Sequence, residues 1–296
     1  MHPQSPYISW QRTPTPLREI LATTAIASLA APLLELFFRG IFGVIGPQTF
    51  LILSPLSVTH LWIWQWLTSL FVHGVPGAGI SFSLLIELLF HLYMVWALGG
   101  SILDRIPPRS FLKFYLGTGV TAGACATVAM ALTGQGAVLG GCTPPLLGIL
   151  MLWTMLYPTA QLLLFFILPV QSKWLAAGAA AAITLVNLSQ GAVVEWVWSM
   201  SGLFGGYLAG AMIWGLKSPF SQTHGVDATL HPFWNRLPSM ERAGSNAKIV
   251  DIKTGRPLAG DDPFVDAMLD KISKQGKGSL TIVERIRLYW VTRRHR

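Results

Sequence analysis

Apolar residues fall along this chain in long unbroken runs, not in the alternating or one-faced patterns of soluble strands and helices. A helix needs about 20 mostly apolar residues to cross a bilayer. Runs of that order occupy 18–42, 82–103, 111–133, 144–168, 173–190 and 193–216, each bounded by Gly, Pro or charge. Pro158 divides the fourth, so its membrane part is expected to stop near Tyr157. The stretch between the first two runs neither spans nor reads as disordered. It holds Trp62, Trp64, Trp66, Phe71, His60 and His73, and aromatic side chains with a polar edge favour the headgroup region. A loop helix lying half in the membrane is expected there, with both histidines interfacial.

The pattern changes after Lys217. Residues 218–260 are polar and rich in Pro, Gly and Ser, and read as a linker. Asp262-Pro263 has the form of an N-cap followed by proline at the first helical position. Val265, Met268, Leu269 and Ile272 then share one helix face, and Gly276 would end it. Thr281 and Glu284 have capping-box spacing for a second short helix. The expected organisation is a segment 1–17, a membrane domain 18–217, the linker, and a small helical tail over 261–296.

Composition agrees with the pattern. Only 11% of the 296 residues are charged and 52% are hydrophobic, where a soluble domain carries about 25% charged residues. The polar Met1–Pro6 start carries no charged region ahead of a short apolar core, so no cleavable signal peptide is expected. Both cysteines, Cys125 and Cys142, lie inside the apolar region, and no disulfide framework is implied. Charge then orients the chain. Arg12, Arg18, Arg105, Arg109, Lys113, Lys173 and Lys217 flank alternate ends of the runs, while 43–81, 134–143 and 190–193 contain no Lys or Arg. Basic loops stay cytoplasmic, so both termini are expected inside. Arg39 departs from the rule, with Glu35 one helical turn before it as an ion-pair partner. After Lys217 the chain has 13 basic and 8 acidic residues, a surplus of five. That surplus suits anionic lipid of the inner leaflet and comes with no nucleic-acid recognition motif.

Two short motifs sit at the mouths of apolar runs: Gly141-Cys142-Thr143-Pro144-Pro145-Leu146-Leu147-Gly148 and Leu203-Phe204-Gly205-Gly206. Together they resemble the active-site motifs of rhomboid intramembrane serine proteases, Gly-x-Ser-Gly and a His-x-Gly-Gly-like sequence. The likeness extends over most of the chain. Trp64–Gly74 resembles the family's first-loop motif, with Gln65 where the family has arginine. Trp96-Ala97-Leu98-Gly99, Leu103-Asp104, Arg109-Ser110-Phe111-Leu112 and Tyr115 are similar to its second and third helices. Tyr157-Pro158, Phe165–Pro169 and Lys173-Trp174 match the passage between the fourth and fifth, and Gly205–Gly210 the sixth. The tail resembles that of bacterial members. The resemblance implies a six-helix rhomboid-like bundle, all-α, with both termini in the cytoplasm of a bacterial plasma membrane.

The same alignment removes the chemistry. Thr143 stands at the nucleophile position and Leu203 at the general-base position. Serine hydrolysis needs both a nucleophile and a base within reach, and loss of either in a serine protease costs about 10⁶ in rate. Thr143 reads better as an N-cap, with Pro144 as the first helical residue. Glu87 and His91 fall where the family places oxyanion-stabilising side chains, four residues apart on one helix face. A carboxylate there would repel an oxyanion, and the two are expected to pair. They would serve as a structural polar pair or as a contact for a partner's helix. As metal ligands they lack a close third, so no metal or cofactor is expected. Cys142 beside Thr143 is conceivable as a Cys–His nucleophile with His91, against the ordinary reading of inert packing. The resemblance therefore implies a non-catalytic pseudoprotease that binds transmembrane helices of partner proteins through Glu87, His91 and Cys142. The alternative is a divergent intramembrane protease with a rearranged site.

Overall fold

The computed structural model describes residues 13–164 and 168–220, and the linker and tail helices expected beyond Lys217 lie outside the described residues. The chain opens with α1 (Thr15–Phe37), extended by a wider helical turn over Phe38–Phe42. The loop after it folds into α2 (Pro47–Leu51), α3 (Leu56–Thr59), α4 (Gln65–Thr68) and a tight turn at Ser69–Phe71. Five longer helices follow: α5 (Phe82–Leu103), α6 (Pro108–Thr133), α7 (Thr143–Leu156), α8 (Ser172–Ser189) and α9 (Val193–Ile213). Three helical stretches, Thr15–Phe42, Phe82–Leu103 and Pro108–Thr133, are long and apolar enough to cross a membrane. Their outward faces confirm the environment. Leu132 is 82% exposed, Leu89 70% and Ile26 68%, a pattern that water penalises and lipid does not. This is a mainly helical membrane protein.

The fourth apolar run breaks where Pro158 led us to expect: α7 stops at Leu156, just before Tyr157-Pro158, because proline disfavours the helical conformation in the residue before it. The chain then forms an antiparallel hairpin, β1 (Gln161–Leu164) with β2 (Leu168–Gln171), in which Gln161 pairs with Gln171. The fold is therefore not purely α-helical. Thr143 is also not the cap. Cys142 occupies that position and Thr143 begins the helix, ahead of Pro144 and Pro145. The prolines cost nothing there, since the first N–H groups of a helix have no internal partner.

The tightest helix contact is between α7 and α9. Gly202, Gly206 and Gly210 recur every fourth residue on one face of α9. A side-chain carbon at Gly202 would meet the Pro144 carbonyl, and one at Gly206 the Gly148 carbonyl. In lipid, helices associate through such close backbone approach, because burying apolar surface gains nothing against an apolar solvent. The same device seats the loop after α1 on α6. Gly119 faces Leu70, and Gly123 faces the backbone of Trp66. The Trp66 indole then donates to Thr127 Oγ1 at 3.0 Å.

Gly202→Ala should force α7 and α9 apart and lower stability by about 1–3 kcal/mol. Gly178→Ala on α8, where a new methyl would touch nothing, should be neutral or slightly stabilising. Thermal unfolding of both variants in detergent micelles tests the contrast, and equal midpoints would refute the packing argument.

Candidate functional site

The polar side chains of the loop after α1 turn inward, and they do so because backbone and side-chain donors away from water need partners inside the protein. Gln65 is fully buried. Its Oε1 accepts from the Ser54 amide at 3.3 Å, and its Nε2 donates to the Thr49 and Phe50 carbonyls at 3.3 and 3.4 Å. Gln65 thus staples α4 to the preceding turn. Glu35 is buried as well, so its pairing with Arg39 is more than an interfacial match. It accepts from Arg39 Nε at 2.9 Å, from the Thr49 amide at 3.3 Å and from Thr49 Oγ1 at 3.0 Å. The loop is thereby tied to α1.

His73 lies at the centre of this end of the molecule. Expected at the interface, it is instead 0% exposed, whereas His60 stays outside against Trp62. The turn at Ser69–Phe71 aims the chain back into the bundle. Gly141 permits the approach of the next loop, with a φ of +92° that side chains rarely adopt. A Cβ there would lie 2.6 Å from His73 Cδ2 and 2.7 Å from Nε2. Ser28 on α1 fixes the ring from the other side. Its Oγ donates to the Phe71 carbonyl at 3.0 Å and lies 2.9 Å from His73 Nδ1. Since the hydroxyl proton is committed, Nδ1 is the donor and Nε2 carries the lone pair. Pro32, four residues after Ser28, cannot donate to the Ser28 carbonyl, so α1 is interrupted at this level.

That lone pair meets two of the residues singled out from sequence. His91 Nδ1 on α5 is 2.9 Å from His73 Nε2, while the Cys142 amide and sulfur are 3.4 and 3.8 Å away. His91 Nδ1 is 3.9 Å from Glu87 Oε1, so its close partner is His73 and not Glu87 as expected. Glu87 itself is about half exposed, between Ile86 and Leu89 on the outward face of α5. Thr143 Oγ1 makes no hydrogen bond to any described residue, and Leu203 packs among Met151, Met155 and Tyr207. No hydroxyl–base pair is assembled from these two. Beyond the anticipated residues, Tyr115 on α6 is fully buried, its hydroxyl lying against the Cys142 thiol and the Thr24 hydroxyl.

The site's electrostatics oppose nucleophilic use. Burial pushes the Cys142 thiol up to about 12, so a thiolate is scarce at neutral pH. Burial, then the neighbouring His91, pulls the His73 imidazole down to about 3, which makes it a poor base. What remains is a convergence of neutral donors. Among the described residues, His73, His91 and Cys142 bring one ligand atom each within 4.8 Å of one another. No family model matches the chain, and no curated protein matches it.

The depressed imidazole ties stability to pH. Unfolded histidine protonates near pH 6.5 and folded His73 near 3, so the unfolded chain binds the extra proton between those limits. Stability should therefore be complete above pH 6.5 and fall by about 1.4 kcal/mol per unit as pH drops towards 3. His73→Gln should flatten that dependence. Denaturant titrations in micelles across this window measure it, and an unchanged slope in the variant would contradict a neutral buried ring.

Proposed function

We propose that the chain is a rhomboid-like membrane protein without protease chemistry, which binds transmembrane helices of partner membrane proteins. In this reading six helices cross the plasma membrane of a bacterium with both termini inside. The ends bearing Arg105, Arg109, Lys113, Lys173 and Lys217 are then cytoplasmic, and the basic tail lies against anionic lipid.

Glu87 carries the proposal. Its half-exposed carboxyl emerges from an apolar face that includes Leu85, Ile86, Leu89 and Phe90. An ionisable side chain in that setting costs on the order of 3 kcal/mol at the bilayer centre. A donor on a passing helix would offset the cost, which makes the position selective for segments with a polar group at matching depth. Loss of catalysis is supported by Leu203 at the base position and by the unbonded Thr143 hydroxyl. The alternative, a divergent protease, has the 3.8 Å approach of Cys142 Sγ to His73 Nε2 in its favour. The raised thiol and the weakly basic ring tell against it.

A photo-crosslinker at Leu89 should capture membrane proteins from native membranes. Glu87→Leu should weaken that capture about ten-fold, as expected for an interhelical polar contact of 1–2 kcal/mol. Adducts with lipid alone would end the client-binding reading. A parallel cleavage assay on model transmembrane substrates should show no turnover. Turnover that disappears in Thr143→Ala or Cys142→Ser would establish the protease instead.

A further inference from the structure

The meeting of His73, His91 and Cys142 has no use in helix binding, since all three side chains are buried. We infer that these residues form a metal site that takes one borderline-soft transition-metal ion of the Zn²⁺ class. The inference is independent of client binding. Two imidazoles and a thiolate are the ligand types such ions prefer, and here they come from three separate segments: the loop after α1, α5 and the residue capping α7.

The spacing suits a metal with small adjustment. Zn–N bonds of about 2.0–2.1 Å and a Zn–S bond near 2.3 Å at tetrahedral angles put ligand atoms about 3.4 Å (N···N) and 3.6 Å (N···S) apart. The nitrogens of His73 and His91 are 2.9 Å apart, and the sulfur is 3.8 Å from His73 Nε2. An ion would spread the two rings by roughly half an ångström and draw the sulfur towards both, since the three ligand atoms lie within 4.8 Å of one another.

Three further features match what metal sites require around their ligands. His73 Nδ1 donates to Ser28 Oγ, and a ligating histidine characteristically gives its other ring N–H to such an acceptor, which fixes the tautomer. Nε2 is thus presented with its lone pair inward. Gly141 removes the one Cβ that would block the ring from the Cys142 loop. The Tyr115 hydroxyl is buried against the Cys142 sulfur, placed to donate to it when it is a thiolate. Binding displaces the Cys142 thiol proton to solvent and moves the His91 proton from Nδ1 to Nε2. No redox change or co-reactant is involved.

The test uses the full-length untagged chain, purified in detergent, stripped with chelator and titrated with Co²⁺. One Co²⁺ per chain should bind, with a sulfur-to-metal charge-transfer band and the intense visible absorption of tetrahedral coordination. Zn²⁺ should displace it and raise the melting midpoint. Cys142→Ser should abolish the charge-transfer band and the Zn²⁺-dependent rise, while Cys125→Ser, on an exposed thiol, should preserve both. Ser28→Ala should weaken Co²⁺ binding about 10–100-fold. His91→Gln serves as a second ligand variant should Cys142→Ser fold poorly, and it too should lose the tetrahedral spectrum. A wild-type chain with no charge-transfer band overturns the proposal. So does a ligand variant that folds and keeps the wild-type band and affinity.

Discussion

The end of the bundle around His73 is organised by one constraint: polar groups away from water must find partners inside the protein. His73 is where the partners converge. Through its ring and amide it joins the loop after α1 to Ser28 on α1, to His91 on α5 and to Cys142 at the start of α7. Gln65 and Glu35 do the same for neighbouring turns, each with several partners. The loop of short helical turns also buries Ile52, Leu53, Leu70 and Val72. Its position is set by that burial, by these polar contacts and by the glycines of α6 that admit Trp66 and Leu70. The loop and the bundle are consequently one object, and a change at His73 is felt by three helices.

The opposite end is secured differently. Tyr157 donates from its hydroxyl to the Ser101 carbonyl at 3.0 Å, and Arg105 lies over its ring. Ser172 donates to the Tyr157 carbonyl at 2.7 Å, which fastens the turn after α7 to the start of α8. These contacts join chain segments through carbonyls freed at helix ends, where acceptors are always in surplus. Between the two polar ends, the Gly202–Gly206–Gly210 seam holds α9 on α7 by close backbone approach. The short α7 is almost wholly buried from Pro144 to Met155. It needs no lipid-facing length because its neighbours surround it.

Much of this was legible from hydropathy, for a physical reason: the need to satisfy the backbone internally makes a long apolar run helical almost regardless of its neighbours. Helix ends near 103, 133 and 189 follow from that alone. The stop before Tyr157-Pro158 also follows from proline, but the hairpin after it does not, since a short apolar stretch is equally compatible with strand or helix. The inward turn of His73 was invisible for a related reason. Turns of four or five residues, such as α2, α3 and α4, carry no periodicity, so nothing distinguishes the buried His73 from the exposed His60. Cys142 and His91 were individually legible as chemistry. Their meeting depends on a tertiary approach that Gly141 permits and no local pattern encodes.

Leu203 and the buried cluster represent two kinds of interior. Leu203 lies among apolar side chains, Met151 and Met155. The cluster is the opposite. Two imidazoles, a thiol and a tyrosine hydroxyl are kept together in a buried position, where each polar group costs free energy unless it is paired. His73 and His91 satisfy one another, Ser28 satisfies His73, and the Tyr115 hydroxyl lies against the Cys142 thiol. The network draws its members from α1, the loop after it, α5, α6 and the start of α7, and the proposed metal site rests on this convergence.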